Sequence, residues 1–171
     1  GYPAVGSGAS QQTSLPGNKT EFDFTWSKPG FPGTIVAGKF LPPVHGGVNN
    51  VNVYVTDKHK DGAQDFASLG GREFEFLTNT FGQGESSRVN IVETPDDNSF
   101  SYWAPEMAAI PGNRIVDRSA ASSRLLTNML AHQWWGSEVS PATLNDAWIT
   151  NGMCRYGELM YLEDSSGKNA F

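Results

Sequence analysis

Six residues constrain this chain more than any others: Ala63, Phe66, Gly70, Phe74, Leu77 and Phe81. Their spacings alternate between three and four, which places them on one stripe of a helix predicted over residues 63–81. A single apolar stripe must be covered by another layer of structure, so the helix needs a sheet or further helices beside it. Gly70 and Gly71 sit inside this helix, at a cost of about 1 kcal/mol each relative to alanine. Such a pair points to close packing on that face. Gly82 stands where a C-terminal glycine cap belongs.

The covering layer reads as strands. Residues 22–26 and 34–41 alternate between apolar and polar side chains, and Val51-Asn52-Val53-Tyr54-Val55 puts three valines on one face. Pro42-Pro43 and Gly46-Gly47 punctuate them. Two further strands are expected over 88–94 and 100–110. A second helix is expected from Asp117, a suitable N-cap, to Trp135, turning Leu125, Leu126, Met129, Leu130 and Trp134 inward. A third starts from Ser140 with Pro141 at its first position and runs to about Glu163, bringing Leu144, Trp148 and Leu159 to a core. This order of elements predicts an α+β domain. Residues 1–20 lack periodicity and read as a linker or surface arm; within them Asn18-Lys19-Thr20 matches a glycosylation sequon. No internal repeat is visible.

Composition excludes several functions. With 18 acidic against 12 basic residues the net charge is -6, the wrong sign for a nucleic-acid partner. No apolar run approaches the roughly 20 residues of a membrane-spanning helix. The one cysteine, Cys154, excludes an internal disulfide framework and a Cys-rich zinc module, and reads as a small buried apolar residue. The compartment stays open, and an extracytoplasmic one is compatible. A Gly1-Tyr2-Pro3 start and a polar Ser165-Ser166-Gly167-Lys168-Asn169 tail suggest a piece of a longer parent chain.

Chemistry concentrates in the last two helices. His132-Gln133-Trp134-Trp135-Gly136 is followed, nine residues on, by Asn145-Asp146-Ala147-Trp148-Ile149-Thr150-Asn151-Gly152. These two strings, at this separation, resemble the zinc-binding core of the aminopeptidase N family of gluzincin metallopeptidases. That family reads His-Glu-x-x-His-Gln-Trp-(Phe/Trp)-Gly and then Asn-Asp-x-Trp-(Leu/Ile)-x-Glu-Gly. The likeness extends more loosely upstream, through Phe81-Gly82 and Val89 to Pro95, over about residues 34–163. It implies a zincin-like (thermolysin-like) catalytic-domain N-lobe, a mixed sheet plus active-site helices, over residues 58–171. The strands of residues 21–57 would be the end of an N-terminal β-domain. In the strand over 100–110 the family carries a Gly-x-Met-Glu-Asn motif that binds the peptide amine; here Ala104-Pro105-Glu106-Met107 offers Glu106 as the substrate-binding candidate.

The chain departs from the family where the chemistry lies. His132 matches a metal ligand, but the first-histidine position is Asn128, the third-ligand position nineteen residues beyond His132 is Asn151, and the general-base position is Met129. A thioether cannot take a proton from water at neutral pH. Catalytic zinc uses three protein ligands, mostly histidine and carboxylate, and amide oxygens carry no formal charge. The expectation is therefore a degenerate zinc site with no catalytic residue and no cofactor, a pseudo-peptidase that binds peptide in the former cleft or serves a structural role. Zinc is the cofactor if the family function is retained.

Two alternatives stand beside it: a zinc aminopeptidase with an unconventional or externally completed site, and a surface module whose Gly/Asn-rich loops bind glycan or a partner protein. Asn128, His132 and Asn151 are expected to face one pocket, the asparagines filling it and bonding His132, each other or water. A copper(I) site from Met129, His132 and Cys154 is set aside because Met129 fits the apolar helix stripe. Trp134, Trp135 and Trp148 read as core or pocket wall, His45 and His59 as surface histidines, and Asp57, Lys58, Lys60 and Asp61 as a solvated turn.

Overall fold

In the computed structural model, which describes residues 2–30, 33–47 and 51–168, the segment before residue 40 already forms strands. Strand β1 (Ala4–Gly6) pairs antiparallel with β4 (Ile35–Ala37), while β2 (Ala9–Leu15) and β3 (Lys19–Thr25) form a hairpin. The segment expected to be a linker or surface arm is thus stranded from residue 4. Gly17 and Asn18 turn the hairpin at φ 79° and 57°, conformations that glycine and asparagine tolerate better than other residues.

Strands β5 (Val44–Gly46), β6 (Val51–Tyr54), β7 (Val89–Thr94), β8 (Tyr102–Ala104) and β9 (Met107–Pro111) make one mixed sheet, in the order β5-β6-β7-β9-β8. The three central strands β6, β7 and β9 run parallel, and the edge strands are antiparallel to them. The sheet crosses the expected boundary at residue 57, because β5 and β6 pair into the same sheet as β7. Every residue of β7 and β9 is buried, as expected of central strands covered on both faces. One face carries Val51, Val53, Val89 and Ile91 into the main core; the other packs Val92 and Met107 against Val5 and Val36.

Helix α1 (Lys60–Phe81) covers the first face, and Phe66, Phe74 and Leu77 of the stripe are buried. The glycine pair has its expected reason. A Cβ on Gly70 would lie 3.0 Å from Ile91 Cδ1, and one on Gly71 would lie 3.0 Å from the Gly46 carbonyl. The crossing is tighter still from the other side: a Cβ on Gly46 would sit 1.8 Å from the Ala67 oxygen. Helix and edge strand meet backbone to backbone. Gly82 ends the helix at φ 91°, its N–H donating to the Thr78 carbonyl.

The expected second helix divides into a short α2 (Gly112–Val116) and α3 (Ala120–Ala131). Ser119, not Asp117, caps α3, its Oγ accepting from the Ser122 N–H. Asp117 supports the cap instead, accepting from the N–H and Oγ of Ser119 and from Ser122 Oγ. The third helix starts later than Ser140: one 3₁₀ turn over Leu144–Asp146 leads into α4 (Ala147–Ser166). Leu144 and Trp148, expected in the core, are 94% and 70% exposed. Helix α4 instead turns Thr150, Cys154, Gly157 and Glu158 inward.

His59 is a second correction. It is buried, and its Nδ1 lies 2.8 Å from Oε1 of buried Glu93 at the end of β7. Gly112 makes the space, since a Cβ there would fall 2.1 Å from His59 Nδ1. His45 is exposed, as expected.

Candidate functional site

Helix α3 ends at Ala131, so His132 is its C-cap rather than an interior residue, and residues 132–138 continue as irregular turns. Those turns are closed by mixed i→i−3, i→i−4 and i→i−5 hydrogen bonds, among them Gln133 N–H to Leu130 O and Ser137 N–H to His132 O. Gly136 belongs here for two reasons: its φ is +142°, and a Cβ would lie 2.6 Å from the Trp103 ring.

His132 is buried and stacks on Trp103 of β8, ring centroids 4.7 Å apart and planes 7° from parallel. Its Nδ1 lies 3.0 Å from the Trp135 carbonyl. A carbonyl only accepts, so Nδ1 carries the proton and Nε2 the lone pair. Burial lowers the imidazole pKa to about 4, with the Trp135 bond opposing, which leaves the ring neutral at pH 7. The same carbonyl faces Cys154 Sγ at 3.5 Å, and burial pushes that thiol up to about 12. Cys154 is the buried, uncharged residue that the sequence suggests.

Gln133 is the residue whose role sequence reasoning missed. Its amide nitrogen donates to the Ala104 and Met107 carbonyls, and its Oε1 accepts the Glu106 N–H at 2.7 Å. It thereby ties the end of α3 to the β8–β9 turn. Glu106 holds that turn at φ 59°. Its carboxylate accepts from Arg88 Nε and Nη2, from Ser86 Oγ and from the Gly8 N–H. The substrate-binding candidate is thus committed to joining the β1–β2 connection to the start of β7. Trp134 is buried and donates to the Gly82 carbonyl at 3.0 Å, and Trp135 packs edge-on against Phe81.

The other candidates lie along α3 and α4. Half-buried Asn128 points its amide nitrogen to Glu158 Oε2 at 3.5 Å. Met129 is partly buried against the main core. Asn151 is exposed on α4. The pocket of about 280 Å³ that Asn128 lines is shared with Ala121, Arg124, Leu125, Arg155 and Glu158, and contains neither His132 nor Asn151. That pocket therefore does not join Asn128 to the other two residues expected beside it.

Buried Glu158 is the charged centre of this face. Arg124 Nε donates to its Oε1 at 2.6 Å, and Arg155 Nη1 pairs with the same oxygen.

No family model matches the chain. By sequence it is similar to aminopeptidase Q of Acinonyx jubatus, 25% identical over 100 residues, and to aminopeptidase Q of Homo sapiens, 24% identical over 112 residues. The two matches cover 53% and 60% of this chain but 10% and 11% of the relatives, so the chain spans about a tenth of their length. In three dimensions it is similar to an M1 zinc metallopeptidase from Deinococcus radiodurans, with a TM-score of 0.68 at 23% identity, covering 99% of this chain and 39% of that one. It is also similar to native yeast LTA4 hydrolase, with a TM-score of 0.80 at 18% identity, covering 98% and 26%. The chain thus shares the fold of the M1 metallopeptidases, and over somewhat more than half its length it is similar in sequence to aminopeptidase Q.

Proposed function

We propose that the chain is an aminopeptidase-like metallopeptidase domain with a degenerate zinc site, which binds peptide in the former cleft, without hydrolysing it, as part of a longer parent protein. What carries this is the donor set at the α3–α4 face. Catalytic zinc requires about three imidazole or carboxylate donors directed at one point. Here His132 offers one imidazole nitrogen, Nε2, its Nδ1–H being given to the Trp135 carbonyl, while Asn128 turns to Glu158 and Asn151 faces solvent. The carboxylate that Asn128 faces, Glu158, is already engaged by two guanidinium groups. No three His, Cys, Asp or Glu side chains cluster to hold a metal among the described residues. These residues do not fit zinc.

The base position argues the same way. Met129 offers a thioether packed against the core, which cannot accept a proton from water near pH 7. The fold's cleft-forming parts, the sheet edge and the α3 end, remain tied together by Gln133. A peptide-binding role needs that scaffold but no metal.

The test is an aminopeptidase assay on aminoacyl substrates, using protein purified without chelator, with zinc added and with zinc removed. The expected result is no chelator-sensitive turnover. Chelator-sensitive cleavage by a contaminant-free preparation would restore the zinc aminopeptidase alternative.

A further inference from the structure

We infer that Arg124 and Arg155, held by Glu158 on the α3–α4 face, form a carboxylate-binding subsite that takes an acidic group of the bound peptide. The inference rests on the peptide-binding reading above and deepens it.

Two guanidinium groups converge on one carboxylate oxygen, Glu158 Oε1, with Arg124 Nε at 2.6 Å and Arg155 Nη1 beside it. Glu158 is 4% exposed, whereas the arginine side chains are 38% and 50% exposed. The buried carboxylate therefore fixes both cations from beneath and leaves them open to solvent. Each guanidinium has five N–H donors, and among the described residues each commits only one of them. The cluster has one positive charge in excess, on a chain whose net charge is -6.

The surroundings suit a peptide. The two arginines, Glu158 and Asn128 line the pocket of about 280 Å³ together with Ala121 and Leu125. Asn128 adds an amide, and the two apolar residues offer contact for the carbon skeleton next to an acidic group. Planar guanidinium donors match a carboxylate in a two-bond geometry, and such charge-assisted pairs are stronger than neutral ones. Pre-positioning by Glu158 reduces the ordering that binding would otherwise require. The acidic group is either a C-terminal carboxylate or an Asp/Glu side chain; the chemistry is common to both.

The experiment titrates the 171-residue chain with three labelled tetrapeptides by fluorescence anisotropy. One is acetyl-tetra-alanine with a free C-terminal carboxylate, one is its C-terminal amide, and one is the amide with a single glutamate. At least one carboxylate-bearing peptide is expected to bind about tenfold more tightly than the neutral amide. Which of the two does so identifies the source of the carboxylate. Arg155→Gln should abolish that preference, and Arg155→Lys, which keeps the charge but not the planar fork, should retain part of it; circular dichroism confirms that both variants fold. Added salt should weaken the preference in the unmodified chain, a check independent of any variant. Equal binding of all three peptides, or a preference untouched by Arg155→Gln, would overturn the subsite while leaving peptide binding intact. Failure of every peptide to bind would remove the subsite and the peptide-binding role together.

Discussion

The contact between α1 and the sheet differs in kind from the contact between α3 and α4. In the first, glycines allow backbones to meet at Gly46 and Gly71, and Val51, Val53, Leu77, Val89 and Ile91 are completely buried. In the second, the contact centres on a buried glutamate with two arginines, while Leu144 and Trp148 at the start of α4 stand in solvent. A dense apolar interface leaves little freedom to change side chains without losing stability. A polar, partly open face tolerates side-chain exchange more readily. On the reading proposed above, the fold is therefore separable from the donor set of this face.

The largest effect is expected where the first interface is tightest. Gly46→Val places a side chain inside the Ala67 backbone oxygen, and should cost at least about 3 kcal/mol or prevent folding. Urea denaturation or loss of the circular dichroism signal would measure it. A folded variant of unchanged stability would mean that α1 and β5 do not cross as described.

The next effect lies at the junction of the two regions. Glu73 of α1 is buried, and Ser123 Oγ of α3 donates to its Oε1, while Oε2 has no partner among the described residues. Burial pushes this carboxyl up from 4.5 to about 8, with the Ser123 bond opposing. Between those values the folded chain holds a proton that the unfolded chain releases. The resulting stability is fully present below the unfolded pKa and is lost as pH rises through the folded one. Unfolding free energy should therefore fall from pH 5 to pH 9, on the order of 3 kcal/mol, and Glu73→Gln should flatten the fall. Urea titrations at the two pH values decide it; a slope that the substitution leaves unchanged would assign it to another group.

The smallest effect is at the solvent end of the second region. Trp148→Ser should change stability by no more than about 0.5 kcal/mol, because the side chain is mostly exposed. A loss above about 2 kcal/mol would place Trp148 in a packed core.

The same division governs what could be read from the sequence. The α1 stripe, the Gly82 cap and the valine alternation of β6 are local patterns, and the structure carries all three. The β2–β3 hairpin escaped because all of β2 is exposed and Ser, Gln and Thr show no hydropathy alternation; Pro16-Gly17-Asn18 was the turn signal that could have found it. Trp148 misled because an aromatic at helical spacing is legible as core only if its helix is pressed against something. His59 was unreadable for another reason. It lies among charged residues, and its burial depends on Glu93, which is 34 positions away and joined to it through the sheet. At the candidate site the residue identities were legible, but their surroundings were not: the stacking of His132 on Trp103 and the pairing of Glu158 with Arg124 join residues far apart in sequence.

Zinc titration of the unmodified chain by calorimetry, beside its Asn128→His/Asn151→Glu variant, tests the central claim most directly. A site that offers one imidazole, with Asn128 turned to Glu158 and Asn151 in solvent, predicts no stoichiometric zinc binding by the unmodified chain. The double variant, carrying two imidazoles and a carboxylate, should bind more tightly only if those three side chains can reach one ion. One zinc per unmodified chain, lost on His132→Ala, would contradict the account and return the chain to the zinc-dependent aminopeptidases.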